Sequence, residues 1–88
     1  MQTINANTKR GAALVAAYNR SSKYSLRDCY GRYSNAKAAA ENDCRRWCSQ
    51  ENGYGFKIIS YNSVRFTAAW RTADGLRVET PCNSFIVK

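Results

Sequence analysis

Between residues 56 and 79 apolar and polar side chains take turns. Val64, Phe66, Ala68 and Trp70 alternate with Arg65, Thr67, Ala69 and Arg71. Beyond Thr72-Ala73-Asp74-Gly75, Leu76 and Val78 alternate with Arg77 and Glu79. A period of two marks strands with one face buried. The pattern predicts strands over 56–61, 64–72 and 76–80, joined by Asn62-Ser63 and by the glycine-containing turn Ala73-Asp74-Gly75. Pro81 ends the third strand, and FIVK over 85–88 adds a short edge strand. A two-residue first turn sets Tyr61 opposite Val64 and Ile59 opposite Phe66; the second turn sets Trp70 opposite Val78. The core face is then Ile59, Val64, Phe66, Trp70, Leu76 and Val78, with Ile58 replacing Ile59 if the first hairpin slips by one residue. In either register of that hairpin Arg65, Arg71 and Arg77 share the opposite face, with Arg71 and Arg77 nearly across from each other. Like charges so placed repel, and an anionic partner relieves that.

Before the strands the period changes. Ala36, Ala40, Cys44, Trp47 and Cys48 form one helical stripe behind an N-cap at Ser34 or Asn35. Lys37, Glu41 and Arg45 line another face, with Glu41 four residues ahead of Arg45 in the favourable order. Asn52-Gly53 stops the helix.

Residues 9–18 have two readings. AALVAA behind Asn7 or Thr8 is a capped helix; LVAAYNRSSKYSLRDCY is two strands around Asn19-Arg20-Ser21-Ser22-Lys23. The hairpin is the preferred reading. Residues 1–8 are polar and expected to be loose. The expectation is a single α+β domain over 1–88, an antiparallel sheet with one helix packed across it in the order β-β-α-β-β-β. A chain of 88 residues buries about 60–65% of its unfolded surface, so its stability is modest.

Charge narrows the function. Fourteen Lys and Arg face six Asp and Glu, a formal charge of +8. Residues 1–40 carry seven of the cations and one acid, Asp28. Such a field attracts polyanions or an acidic protein surface. The longest apolar run, GAALVAA, is far below the roughly 20 residues a membrane helix needs, and no cleavage site follows it. A cytoplasmic protein of a host cell, away from membranes, is expected.

There is no His, and no Ser or Cys sits in a recognisable nucleophile pattern, so an enzyme and a cofactor are not expected. Cys29, Cys44, Cys48 and Cys82 are weak candidates for metal ligands or disulfides. Their spacing lacks paired C-x-x-C knuckles, and two of them lie on the apolar helix stripe, which reads as core thiols. The stretch YNRSSKYSLRDCYGRY interleaves Tyr18, Tyr24, Tyr30 and Tyr33 with Arg20, Lys23, Arg27 and Arg32. Cations neutralise phosphates and aromatic faces stack on bases, so direct DNA or RNA binding is one reading. Arg and Tyr also dominate protein-binding hot spots, so docking on an acidic protein is the other.

The order of strand hairpin, helix SNAKAAAENDCRRWC and strands FKIISYNSVRFTAAWRTADGLRVET resembles small phage- and prophage-encoded anti-CRISPR proteins. The resemblance is architectural, spans roughly residues 12–80, and transfers no residue roles. It implies a non-enzymatic inhibitor of a host nucleic-acid-processing complex, acting by steric and electrostatic occlusion. The residues expected to carry it are Arg65, Arg71 and Arg77 on the sheet and Arg20, Lys23, Arg27 and Arg32 near the hairpin, with Tyr18, Tyr24 and Tyr30 as anchors.

Overall fold

The computed structural model describes residues 1–31, 33–62 and 65–88. The elements run β1 (Gln2–Ile4), α1 (Lys9–Arg20), α2 (Leu26–Tyr30), α3 (Asn35–Gln50), β2 (Tyr54–Tyr61), β3 (Phe66–Thr72), β4 (Gly75–Glu79) and β5 (Ser84–Val87). Among the described residues the five strands form one sheet in the order β1-β5-β4-β3-β2. β1 lies parallel to β5, and the other pairs are antiparallel. The class is α+β, as the alternation predicts. The radius of gyration of 12.3 Å matches the roughly 12 Å of one compact domain of this length.

The order differs at the front of the chain. Residues 9–20 form a helix and not a strand, because the Thr8 hydroxyl caps it by accepting from the Gly11 N–H at 3.1 Å. Helix formers in AALVAA then carry three turns. Residues 26–30 form a second helix, capped by Ser25 and closed at Gly31. Leu26, wholly buried, anchors it to the core, a contribution of about 1.5–3 kcal/mol. The two helices replace the expected leading hairpin, and Lys23, expected in its loop, instead makes an isolated bridge to Ile58 of β2. Residues 1–8, read as loose, supply β1 and the α1 cap, and β5 is consequently an inner strand.

The sheet is covered on both faces. On one, α1 closes over Ile4, Ala69, Leu76, Val78, Phe85 and Val87. On the other, α2 and α3 close over Ile58, Phe66, Ala68 and Trp70. The single core face expected from the alternation is therefore two half-cores. Phe66 and Trp70 face α3, while Ile59, Leu76 and Val78 face α1. Val64 lies outside the described residues.

The cause is register. The β3–β4 turn contains only Ala73 and Asp74, because Gly75 is the first residue of β4 and pairs with Thr72. Trp70 then stands opposite Arg77, and Arg71 opposite Leu76. One residue of difference turns every β4 side chain over. Gly75 permits this: its φ is +143°, and a Cβ there would meet the Val87 carbonyl oxygen at 2.3 Å.

Candidate functional site

The register decides where the sheet arginines go. Arg77 does not share a face with Arg65 and Arg71. It points into the α3 side, 8% exposed, over the Trp70 ring at 5.0 Å. Its Nε donates to both Glu51 carboxylate oxygens at 3.0 and 3.1 Å, and its Nη2 to Glu79 at 2.6 Å. Glu79 also accepts from the Ser84 hydroxyl, and Glu51 from the Trp70 indole N–H. The expected repulsion between Arg71 and Arg77 is absent: β4 carries its own counter-charge two residues on, at Glu79.

Arg71 lies on the α1 side. Its guanidinium stacks over Tyr18 at 4.9 Å and donates to Asn19. Lys57 lies over the same ring at 4.5 Å and donates to the Tyr18 carbonyl. Tyr18 is accordingly buried, and its hydroxyl donates to the Gly55 carbonyl at 2.5 Å. Burial pushes its pKa above the ordinary tyrosine value, against the pull of Arg71. It braces α1 against β2 and is closed to a partner. Gly55 sits at φ +68°, where a Cβ would strike that hydroxyl at 2.4 Å.

The remaining predicted residues are dispersed. Arg20 is exposed at the end of α1, Arg27 is exposed on α2, and Lys23 is half-buried beside β2. Tyr24 is 59% exposed, and its carbonyl accepts from Arg45. Tyr30 lies in α2, but its side chain, like Arg32, is outside the description. Cys44 and Cys48 are buried on α3, Cys29 is half-buried and Cys82 exposed; all four are free thiols. Burial, reinforced by Glu79, pushes the Cys44 thiol up to about 12. Among the described residues no group of three His, Cys, Asp or Glu is arranged to hold a metal. No helix is long and apolar enough to cross a membrane, among those residues.

Acids and bases are sorted by depth. Glu41, 3% exposed, accepts from the Leu26 N–H at 2.8 Å and from Arg45 at 2.9 Å, tying α2 to α3. Glu51 and Glu79 hold Arg77, and Asp43 pairs with Arg46 on α3. Four of the six acids are thus engaged on the α3 side. The α1 segment KRGAALVAAYNR contains no acid at all.

Beneath the start of α1 lies a groove that the alternation did not reveal. It has a volume of about 420 Å³ and sits at the end of the sheet, between the β2–β3 and β4–β5 connections. Arg10 and Arg65 line it with Ser60, Thr67 and Asn83, and no acid does. Arg10 stacks on the buried Phe85 ring at 4.6 Å. On the other side of residues 80–83 is a cleft of about 350 Å³ with the opposite character, lined by Asp43, Glu79 and the half-exposed Trp47. Sequence reasoning misses Lys9 and Arg10 because a hairpin over this part of the chain makes their surroundings strand or loop, and misses Lys57, in its expected strand, because its partner Tyr18 is 39 residues away. The signal available was Thr8 followed by a run free of acids.

No protein-family model, curated protein sequence or solved structure matches this chain.

Proposed function

We propose that this chain is a non-enzymatic binding protein that docks through the outer face of α1 on an acidic protein surface. The target class is a nucleic-acid-processing complex, blocked by steric and electrostatic occlusion, as the resemblance to anti-CRISPR inhibitors implies. The observation that carries this is the sorting of charge. Four of the six acids are spent inside the fold or on α3, and the exposed Asp28 and Asp74 lie on α2 and in the β3–β4 turn, while α1 presents cations alone.

The outer face of α1 has the anatomy of a protein-binding patch. Ala12, Ala13 and Ala16 are exposed at its centre, between Lys9 at one end and Asn19 and Arg20 at the other. A small apolar centre permits close approach, and a charged rim steers and orients the partner. Lys9 and Arg10 also occupy the first helical turn, where no acid balances them. Cations at a helix N-terminus oppose the macrodipole. Local placement against stability is what a binding face commonly shows.

Affinity capture from host lysate, with and without nuclease, tests the partner class. A protein retained after nuclease treatment, and lost when Lys9→Glu and Arg20→Glu are combined, supports docking. Loss of every partner on nuclease treatment refutes it.

A further inference from the structure

The Arg10–Arg65 groove supports an inference that stands apart from protein docking. We propose that it is an anion site for a phosphate group, carried either by a free phosphate compound or by the backbone of single-stranded nucleic acid.

Its charge comes from distant parts of the chain. Arg10 belongs to α1 and Arg65 immediately precedes β3, yet both line one concavity of about 420 Å³. That volume is within the range of clefts that hold small ligands. Neither guanidinium has a hydrogen-bond or ion-pair partner among the described residues. Arg10 is nonetheless placed, because its guanidinium carbon lies over the Phe85 ring, 4.6 Å from the centroid. Stacking uses the face of a guanidinium and leaves its in-plane N–H groups for an acceptor. Planar N–H forks match the oxygens of a phosphate and give short, charge-assisted hydrogen bonds.

The floor suits the same ligand. Ser60 and Thr67 are cross-strand partners, and both line the groove. Neither hydroxyl is hydrogen-bonded among the described residues, nor is the Asn83 side-chain amide. Donors therefore converge with two positive charges, and no carboxylate is present to oppose an anion. Two other large concavities do contain carboxylates: one is lined by Asp43 and Glu79, the other by Glu51 and Asp74 beside Arg77 and Lys88. The sign of the groove is thus local and not simply the average of a basic protein.

The test is an amide chemical-shift titration of the full chain at constant ionic strength. Inorganic phosphate, a mononucleotide and a short single-stranded oligonucleotide are compared. Saturable shifts centred on Thr67, Asn83 and Phe85 are expected. Combining Arg10→Gln with Arg65→Gln should weaken phosphate binding roughly tenfold or more, the effect of losing charge-assisted hydrogen bonds. Arg46→Gln with Lys88→Gln removes the same charge outside the groove and should change it less than about twofold. Well-dispersed spectra confirm that each variant is folded. Equal affinity for mononucleotide and oligonucleotide identifies a free phosphate compound; tighter oligonucleotide binding at the same amides identifies a nucleic-acid backbone. Non-saturating or scattered shifts, or equal weakening by both pairs of substitutions, overturn the site.

Discussion

Replacing Arg77 with Met separates a structural arginine from a surface one. The arginine side chain is 9% exposed and bonds two carboxylates, Glu79 at 9% and Glu51 at 32% exposure. Met keeps an unbranched stem but removes the guanidinium from over Trp70 and leaves Glu79 desolvated without its counter-charge. Breaking a buried ion pair from one side costs about 3–5 kcal/mol. The half-open position of Glu51 places this variant near the lower end, about 3 kcal/mol. A domain of 88 residues has roughly 4–13 kcal/mol in total, so much of the stability is lost. The melting temperature should fall by roughly 12–24 °C. Urea denaturation followed by near-ultraviolet circular dichroism measures the loss. The companion variant combines Arg77→Met with Glu79→Leu. It removes the stranded charge together with its partner and should regain most of the stability. A cost below about 1 kcal/mol for Arg77→Met, as for a solvated arginine, would refute the reasoning. So would additive damage in the double variant, which would show that the stranded carboxylate is not the cause.

Three further outcomes follow from the same structure. Gly75→Ala should cost about 2–3 kcal/mol, because φ +143° excludes a Cβ and the Val87 carbonyl occupies its place; thermal melting reads this directly, and a neutral substitution would contradict the observed register. Lys9→Glu should raise the melting temperature by a few degrees through the α1 dipole while weakening partner binding, a pairing that an ordinary solvated lysine would not show. Stability should fall as pH rises from about 9 towards 12. The unfolded chain gives up the Cys44 proton near its ordinary 9.0, while the folded chain, pushed to about 12, holds it. Tyr18, also raised, adds to the slope. Melting curves across this range should be flatter for Cys44→Ala, and an identical slope would exclude Cys44 as a cause.

How much was legible depended on whether the information was local. Helix α3 was readable from its cap at Ser34 and the Glu41–Arg45 spacing, and that ion pair forms at 2.9 Å. Its buried face is shifted: Glu41, Cys44 and Cys48 face inward, whereas Ala36, Ala40 and Trp47 are exposed. Glu41 turns inward because it accepts from the Leu26 N–H, a partner 15 residues away that no local pattern reveals. Strands β2, β3 and β4 were readable from alternation, but their register was not. Whether Gly75 belongs to the turn or the strand decides the face of Arg77, and the β4–β5 contact that favours the strand is non-local. The first helix lost to a hairpin reading because tyrosines and serines in 18–30 imitate strands. Nothing local announced that α1 would cover the second face of the sheet. The groove was invisible for the same reason, since it joins residue 10 to residue 65 through tertiary packing.

The central claim is that the acid-free face of α1 is where a protein partner docks. The most direct measurement compares dissociation constants for the captured partner between two reversed-charge variants of equal net charge. One carries Lys9→Glu and Arg20→Glu on α1, the other Arg46→Glu and Lys88→Glu away from it. Docking through α1 requires a loss of at least about a hundredfold for the α1 pair, two rim charges turned repulsive, and less than about tenfold for the other. Equal losses would mean that only the overall charge matters, and that the α1 face is not the docking surface.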